Sequence, residues 1–69
     1  MLINKLKAGK IIVIKAPAMI YADYVKAVTL SGNCYVENSI GTIKPHQIID
    51  VLDSLEEYRQ NDKAGKYRL

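Results

Sequence analysis

Cys34 and His46 are the single cysteine and the single histidine of this 69-residue chain, so they form its one thiol–imidazole pair for nucleophilic catalysis. Such catalysis needs the thiol held within hydrogen-bonding reach of a base. His46 follows Pro45, where a helix is expected to begin, and a helix N-terminus disfavours an imidazolium. Cys34, between a turn and an aromatic residue, is typical of a small core residue. The pair therefore predicts no catalytic site, and we expect a non-enzymatic protein.

The presence of one cysteine and one histidine also limits metal binding and disulfide formation. One cysteine cannot form a disulfide framework, and one cysteine with one histidine falls short of the four ligands of a structural zinc site. Asp50, Asp53 and Glu57 would share one face of a C-terminal helix, and a solvated helix face explains them better than a cation site does. We expect no catalytic residue, no metal, no cofactor and no small-molecule substrate.

Tyrosine supplies all the aromatic side chains of the chain, with five Tyr, no Phe and no Trp. A tyrosine packs an apolar ring while its hydroxyl stays hydrated, and tyrosine is enriched among the anchors of protein interfaces. Tyr21, Tyr24 and Tyr35 are the candidate partner-binding residues. The alternative is that the tyrosines only cover the edge of the core. Tyr58 falls on an apolar helical stripe and is expected in the core.

Four lysines supply all the charged side chains of the first fifteen residues, which contain no acid. The net charge of +3 permits an acidic partner without demanding one. Lysines can hold phosphates while tyrosine rings stack on unpaired bases, so nucleic acid is the alternative partner. The modest charge and the absence of a recognisable nucleic-acid-binding motif count against nucleic acid as the partner. The candidate nucleic-acid-binding residues are Lys5, Lys7, Lys10, Lys15 and Lys26.

The apolar content of the chain favours binding to a protein. A domain this small buries about 60% of the surface that its unfolded form exposes, yet 49% of its residues are hydrophobic. Apolar surface left at a contact, together with an open sheet edge, is typical of a chain that pairs with another protein or with itself. The leading hypothesis is a small regulatory or inhibitory protein, of the kind often encoded by phages and mobile elements. A two-fold homodimer is its simplest self-association.

The chain is expected to be one domain in the cytoplasm. Its length allows one domain at most. The apolar run at residues 11–14 stops at Lys15 and is too short for a signal peptide, and no uncharged stretch is long enough to span a bilayer. Secreted domains of this size usually carry disulfides, so a single cysteine favours a reducing compartment.

Three segments are predicted as strands. Residues 10–15 place four β-branched side chains between two lysines, as in a strand buried on both faces. Residues 18–30 fit an amphipathic helix by spacing, bounded by proline and glycine. A recurrence every eleven residues and a turn at residues 31–33 instead favour a strand and a hairpin, and we prefer the strand. Residues 34–38 are the third strand.

Residues 45–60 are predicted as one amphipathic helix, with Pro45 in its first turn. The polar residues 61–69 are expected to fray. The predicted fold is α+β, a small antiparallel β-meander with this C-terminal helix packed on it, and β-α-β-α is the alternative. The apolar stripe of the predicted helix contains Ile48, Val51, Leu52, Leu55 and Tyr58.

Overall fold

The computed structural model describes residues 6–68 and contains four strands and one α-helix in that part of the chain. The strands form one antiparallel sheet in the order β3-β2-β1-β4, and α1 packs on it. The predicted α+β class is confirmed. The β-α-β-α alternative is wrong, because residues 18–30 contain a strand and no helix. In chain order the elements are β1 (Ile11–Lys15), β2 (Ile20–Val28), β3 (Cys34–Val36), β4 (Ile48–Leu52) and α1 (Leu55–Lys63).

The four aliphatic residues of β1 form the centre of the molecule, and each is at most 1% exposed. Successive side chains of a strand point to opposite faces. Ile12 and Ile14 therefore enter one apolar cluster, while Ile11 and Val13 enter a second cluster on the other face. The prediction of a strand buried on both faces is confirmed. Each such side chain contributes about 1.5–3 kcal/mol on full burial, so β1 anchors the fold.

β2 is shared between two neighbours, since its first five residues pair with β1 and its last four with β3. A turn at residues 29–33 joins β2 to β3. The Gly32 amide donates to the Thr29 carbonyl at 3.0 Å, and Thr29 Oγ1 accepts from the Asn33 amide at 3.1 Å. Gly32 has a φ of +87°, a left-handed conformation that glycine adopts without strain. The predicted hairpin is confirmed.

Only residues 55–60 of the predicted helix 45–60 are α-helical. A 3₁₀ turn at Pro45–Gln47 leads into β4, which pairs with β1 through a bulge. Ile48 and Val51 pack in the cluster on one side of β1, and Leu52 packs in the cluster on the other side. A strand buried on both faces reads as a nearly continuous apolar run, and such a run also matches helical spacing. The helix prediction is therefore wrong for residues before α1.

A side-chain cap marks the start of α1. Ser54 Oγ accepts from the Glu57 amide at 3.2 Å, and Glu57 Oε1 accepts from the Asp53 amide at 3.2 Å. Ser54 and Glu57 are three residues apart, which is the spacing of an N-terminal capping box. This short motif identifies the helix start that apolar spacing alone misplaces.

The chain after α1 folds back onto the sheet. Tyr67 is 6% exposed, its ring stacks on Tyr58 with centroids 5.4 Å apart, and its hydroxyl donates to Asp50 Oδ2 at 2.8 Å. The Lys66 ammonium lies 2.9 Å from the same carboxylate oxygen. The described part of residues 61–69, which the sequence predicts to fray, lies folded against the sheet in this structure. Burial of the Tyr67 ring, together with these polar contacts, holds it in place.

Candidate binding surface

Tyr24 and Tyr35 lie on the same side of β2 and β3, and each is 46% exposed. The sequence neighbours of each ring are buried, so the alternation of a strand turns both rings away from the cluster of Ile12 and Ile14. Tyr24 pairs with Ile11, so both rings lie on the sheet face that carries the second cluster, although neither belongs to that cluster. Val25 pairs with Val36 in the register, and the Glu37 amide donates to the Tyr24 carbonyl at 3.1 Å. Tyr24 therefore lies opposite Glu37 on the neighbouring strand.

A β-bulge in β2 widens this exposed area. Ala27 pairs with Tyr35, and Lys26 is the extra residue between two registers, so two residues of β2 oppose one tyrosine. Lys26 and Ala27 are both exposed. The resulting patch is named the tyrosine surface and consists of Tyr24, Lys26, Ala27, Tyr35 and Glu37.

The tyrosine surface has its rings on one diagonal and its charges on the other. This follows from the pairing, because Tyr24 lies opposite Glu37 and Tyr35 lies opposite the bulge that contains Lys26. Residues at diagonal positions of two paired strands are typically about 7–8 Å apart. Lys26 and Glu37 are exposed, and neither belongs to the ion pairs formed within residues 6–68.

Asp23 holds the backbone of the tyrosine surface in register. Its Oδ1 accepts from the Tyr24 amide at 2.7 Å and from Asn38 Nδ2 at 2.9 Å. Its Oδ2 accepts from the Asn38 amide at 3.0 Å. Asp23 is buried, and a buried carboxylate is tolerated when such bonds satisfy it. Sequence reasoning missed this role, although an acid at an inward-facing strand position is an unusual feature that can be noticed.

Tyr21 does not belong to this surface. It points to the opposite side of β2 and packs, half-buried, against the core cluster there. The structure thus separates Tyr21 from Tyr24 and Tyr35, because residues three apart on a strand face opposite sides. Tyr58 packs against the second core cluster, as the sequence predicts.

The remaining exposed apolar side chains are scattered. Met19 and Leu30 lie in the turns before and after β2, Ile40 lies in the loop after β3, and Ile49 lies on β4. Single exposed apolar residues are normal on protein surfaces. The tyrosine surface differs from them because two large rings lie on paired strands.

The candidate lysines fall at both ends of the sheet. Lys10 precedes β1 and Lys15 ends it, so about 16 Å of extended strand separates them. Lys10 Nζ forms an ion pair with Asp53. The first fifteen residues contain no acid, but the fold brings Asp53 from the other end of the chain to Lys10. Lys5 lies outside the described residues.

Lys7 and Lys26 lie toward the Lys10 end of the sheet, since the Gly9 amide donates to the Val25 carbonyl at 3.0 Å. Both are exposed. Three of the candidate lysines therefore lie at one end of the sheet, and Lys15 lies at the far end of β1. This spacing does not form the continuous basic stripe that is typical of a nucleic-acid groove.

Cys34 is fully buried in the core, whereas His46 is exposed in the 3₁₀ turn. Burial raises the pKa of the Cys34 thiol. The thiolate is the reactive form, so a raised pKa makes this cysteine a poor nucleophile. Cys34 is thus a core residue, as its sequence context favours.

Asp50, Asp53 and Glu57 do not share a helix face. Asp50 lies on β4 and binds Lys66 and Tyr67, while Asp53 pairs with a lysine and Glu57 accepts from the Asp53 amide. Burial raises the pKa of Asp50, but the hydrogen bonds from Lys66 and Tyr67 lower it by more than burial raises it. The pKa of Asp50 therefore lies below its ordinary value. Within residues 6–68, no group of three His, Cys, Asp or Glu residues is arranged to hold a metal ion.

The fold and the tyrosine surface define a small α+β protein with a two-ring exposed patch on paired strands. Comparison with protein-family models, curated proteins and solved structures finds no match for this chain. No helix within the described residues is long and apolar enough to cross a membrane. Function is therefore inferred from the geometry of the tyrosine surface.

Proposed function

We propose that this chain is a small non-enzymatic regulatory or inhibitory protein that binds protein through its tyrosine surface. The observation that supports this is the position of Tyr24 and Tyr35, two half-exposed rings on the same side of paired strands. Tyrosine supplies a large, rigid contact area at a low cost in side-chain entropy, because its ring is set by two torsions. Such rings are enriched among interface residues that carry binding energy.

The framework beneath the rings favours recognition by a fixed shape. The Asp23 carboxylate bonds both Tyr24 and Asn38, so the strand that carries one ring is tied to the segment that follows the other. A preordered surface loses less conformational freedom on binding, which leaves more of its contact energy as affinity. A small domain that binds in this way regulates a target by covering part of its surface.

The test compares capture of proteins by three immobilised full-length chains. They are the native chain, the double variant Tyr24→Ala/Tyr35→Ala, and the control Met19→Ala, which trims an exposed side chain in the turn before β2. Each is incubated with nuclease-treated lysate of the source cells. Proteins held by the native and Met19→Ala chains, but lost from the double variant, support the proposal. Equal retention on all three chains overturns it.

Charge on the sheet favours nucleic acid as a second candidate partner. Lys7, Lys15 and Lys26 are exposed and lie outside the ion pairs formed within residues 6–68. The test titrates labelled single-stranded and duplex oligonucleotides at two salt concentrations. Each phosphate contact to a single strand contributes about 0.7 log units of affinity per log unit of salt. We expect weak binding, and the double variant Lys15→Gln/Lys26→Gln should flatten its salt dependence. Tight binding at physiological salt would favour nucleic acid over protein.

A further inference from the structure

The two diagonals of the tyrosine surface are related in a way that fits two-fold symmetry. The rings of Tyr24 and Tyr35 define one diagonal, and Lys26 and Glu37 lie on either side of it. When two copies of such a surface meet, the two-fold axis lies in the plane of contact. An axis along the ring diagonal sets each Lys26 against the Glu37 of the other copy. We therefore propose that the tyrosine surface binds the tyrosine surface of a second copy of this chain.

This inference rests on the proposed function, because it names the partner of the same surface. Its basis is charge complementarity. Lys26 and Glu37 are opposite in charge, exposed, and outside the ion pairs formed within residues 6–68. A second copy supplies a partner for both residues, since in a two-fold contact Lys26 of each copy faces Glu37 of the other. Two equivalent Lys26–Glu37 pairs then flank the rings.

The same axis brings like rings together. Tyr24 meets the Tyr24 of the other copy, and Tyr35 meets its own counterpart. Aromatic pairs favour offset or edge-on contact at centroid separations of about 4.5–7 Å, so we expect the like rings to pack in that range. Ala27 is small and pairs with Tyr35, so it leaves room for the rings to approach.

The contact is small, and this sets its strength. Five residues offer less than the about 800 Å² that each partner contributes to a standard interface, so the dimer belongs to the weak, reversible class. Monomer and dimer should therefore exchange over the micromolar range of protein concentration. Two-fold dimers are the commonest closed assembly of soluble proteins.

Charge reversal combined with mixing tests the proposal. Sedimentation velocity of the full chain is measured across a concentration series for the native chain, for Lys26→Glu and for Glu37→Lys. In each single variant, like charges face each other, so we expect both variants to be monomeric where the native chain is dimeric. An equimolar mixture should dimerise again, because an acidic surface then meets a basic one. Lys44→Glu makes the same charge change at an exposed lysine before the 3₁₀ turn and should dimerise as the native chain does.

A second measurement covers the case in which a variant fails to fold. A zero-length carbodiimide joins contacting lysine and glutamate side chains, and a mixture of light and ¹⁵N-labelled native chains reveals links between copies. We expect a Lys26–Glu37 link of mixed isotope composition. A native chain that stays monomeric at several hundred micromolar, or a dimer that persists in both variants, or a mixture that fails to restore the dimer, would overturn the inference.

Failure here and failure of the proposed function give different results. A monomeric chain that still retains lysate proteins through Tyr24 and Tyr35 overturns the second copy as partner and leaves the binding role in place. A chain that neither dimerises nor retains proteins through these rings overturns both. A dimer that is insensitive to Tyr24→Ala uses another surface and overturns the inference alone.

Discussion

The hydroxyl of Tyr67 donates a hydrogen bond to the Asp50 carboxylate at 2.8 Å and joins the segment after α1 to the edge strand β4. Asn61 Nδ2 donates to the same hydroxyl at 3.0 Å. The Lys66 ammonium binds the same carboxylate oxygen from outside. β4, α1 and the segment after α1 therefore meet at one phenol, over the ring stack of Tyr67 on Tyr58.

Removing this hydroxyl should destabilise the protein without changing its packing. Tyr67→Phe keeps the ring but leaves Asp50 and Asn61 without their shared partner. A lost bond to a charged, partly buried group typically costs about 1–3 kcal/mol. Urea denaturation measures the free energy of unfolding, and Tyr35→Phe is the control because that side chain is exposed. Equal stability of the two variants would mean that the Tyr67 hydroxyl contributes nothing.

The stability contributed by Asp50 should disappear in acid. Burial raises the pKa of Asp50, but the hydrogen bonds from Lys66 and Tyr67 outweigh it, so the pKa in the folded protein lies below the ordinary value. A carboxyl with a lowered folded pKa stabilises the fold above its unfolded pKa of about 3.9 and loses that contribution as pH falls through the folded value.

The matched comparison is Asp50→Asn, which cannot titrate. Between pH 5 and the strongly acidic range, the free energy of unfolding of the native chain should fall more than that of the variant. Denaturation curves at several pH values give both slopes. Parallel slopes would show that Asp50 titrates alike in the folded and unfolded chains.

The sheet was predictable where the sequence signals were local. The β-branched run before Lys15 predicted β1, and the turn around Gly32 fixed the β2–β3 hairpin. The prediction of a strand at β2 also implies that Tyr21 and Tyr24 face opposite sides, because residues an odd number of positions apart on a strand point to opposite faces. The sequence grouping of the tyrosines did not use this rule. The pairing of Tyr24 with Tyr35 was not predictable, since it depends on the register and on the bulge at Lys26.

The C-terminal third was less predictable for physical reasons. Ile48, Val51 and Leu52 fit a helical stripe, but they belong to a strand that is buried on both faces, and spacing alone cannot separate the two. The Ser54 cap was visible as a short motif. The burial of Tyr67 was not visible, because it depends on Asp50, seventeen positions away in sequence.

Leu52→Ala tests whether β4 is part of the core. Leu52 is 5% exposed and packs in the cluster of Ile11, Val13 and Tyr67. Truncation of a buried leucine typically costs about 2–5 kcal/mol, a large share of the stability of a small domain. Ile49→Ala is the control on the same strand, because Ile49 is exposed at the bulge. Chemical denaturation of both variants gives the comparison, and similar losses would contradict the assigned faces of β4.

Labelling of Cys34 should report opening of the core. Its thiol is fully buried, and burial raises its pKa, so a thiol reagent reacts with it only after the sheet opens. For a domain with about 5 kcal/mol of stability, labelling should be at least ~10³-fold slower in buffer than in denaturant. Met19→Cys provides an internal control, because residue 19 is exposed in the turn before β2. Mass spectrometry of that variant should show one label added rapidly and the second at the slow rate of the native chain. Rapid addition of both labels would mean that the cluster around Cys34 opens far more readily than its packing implies.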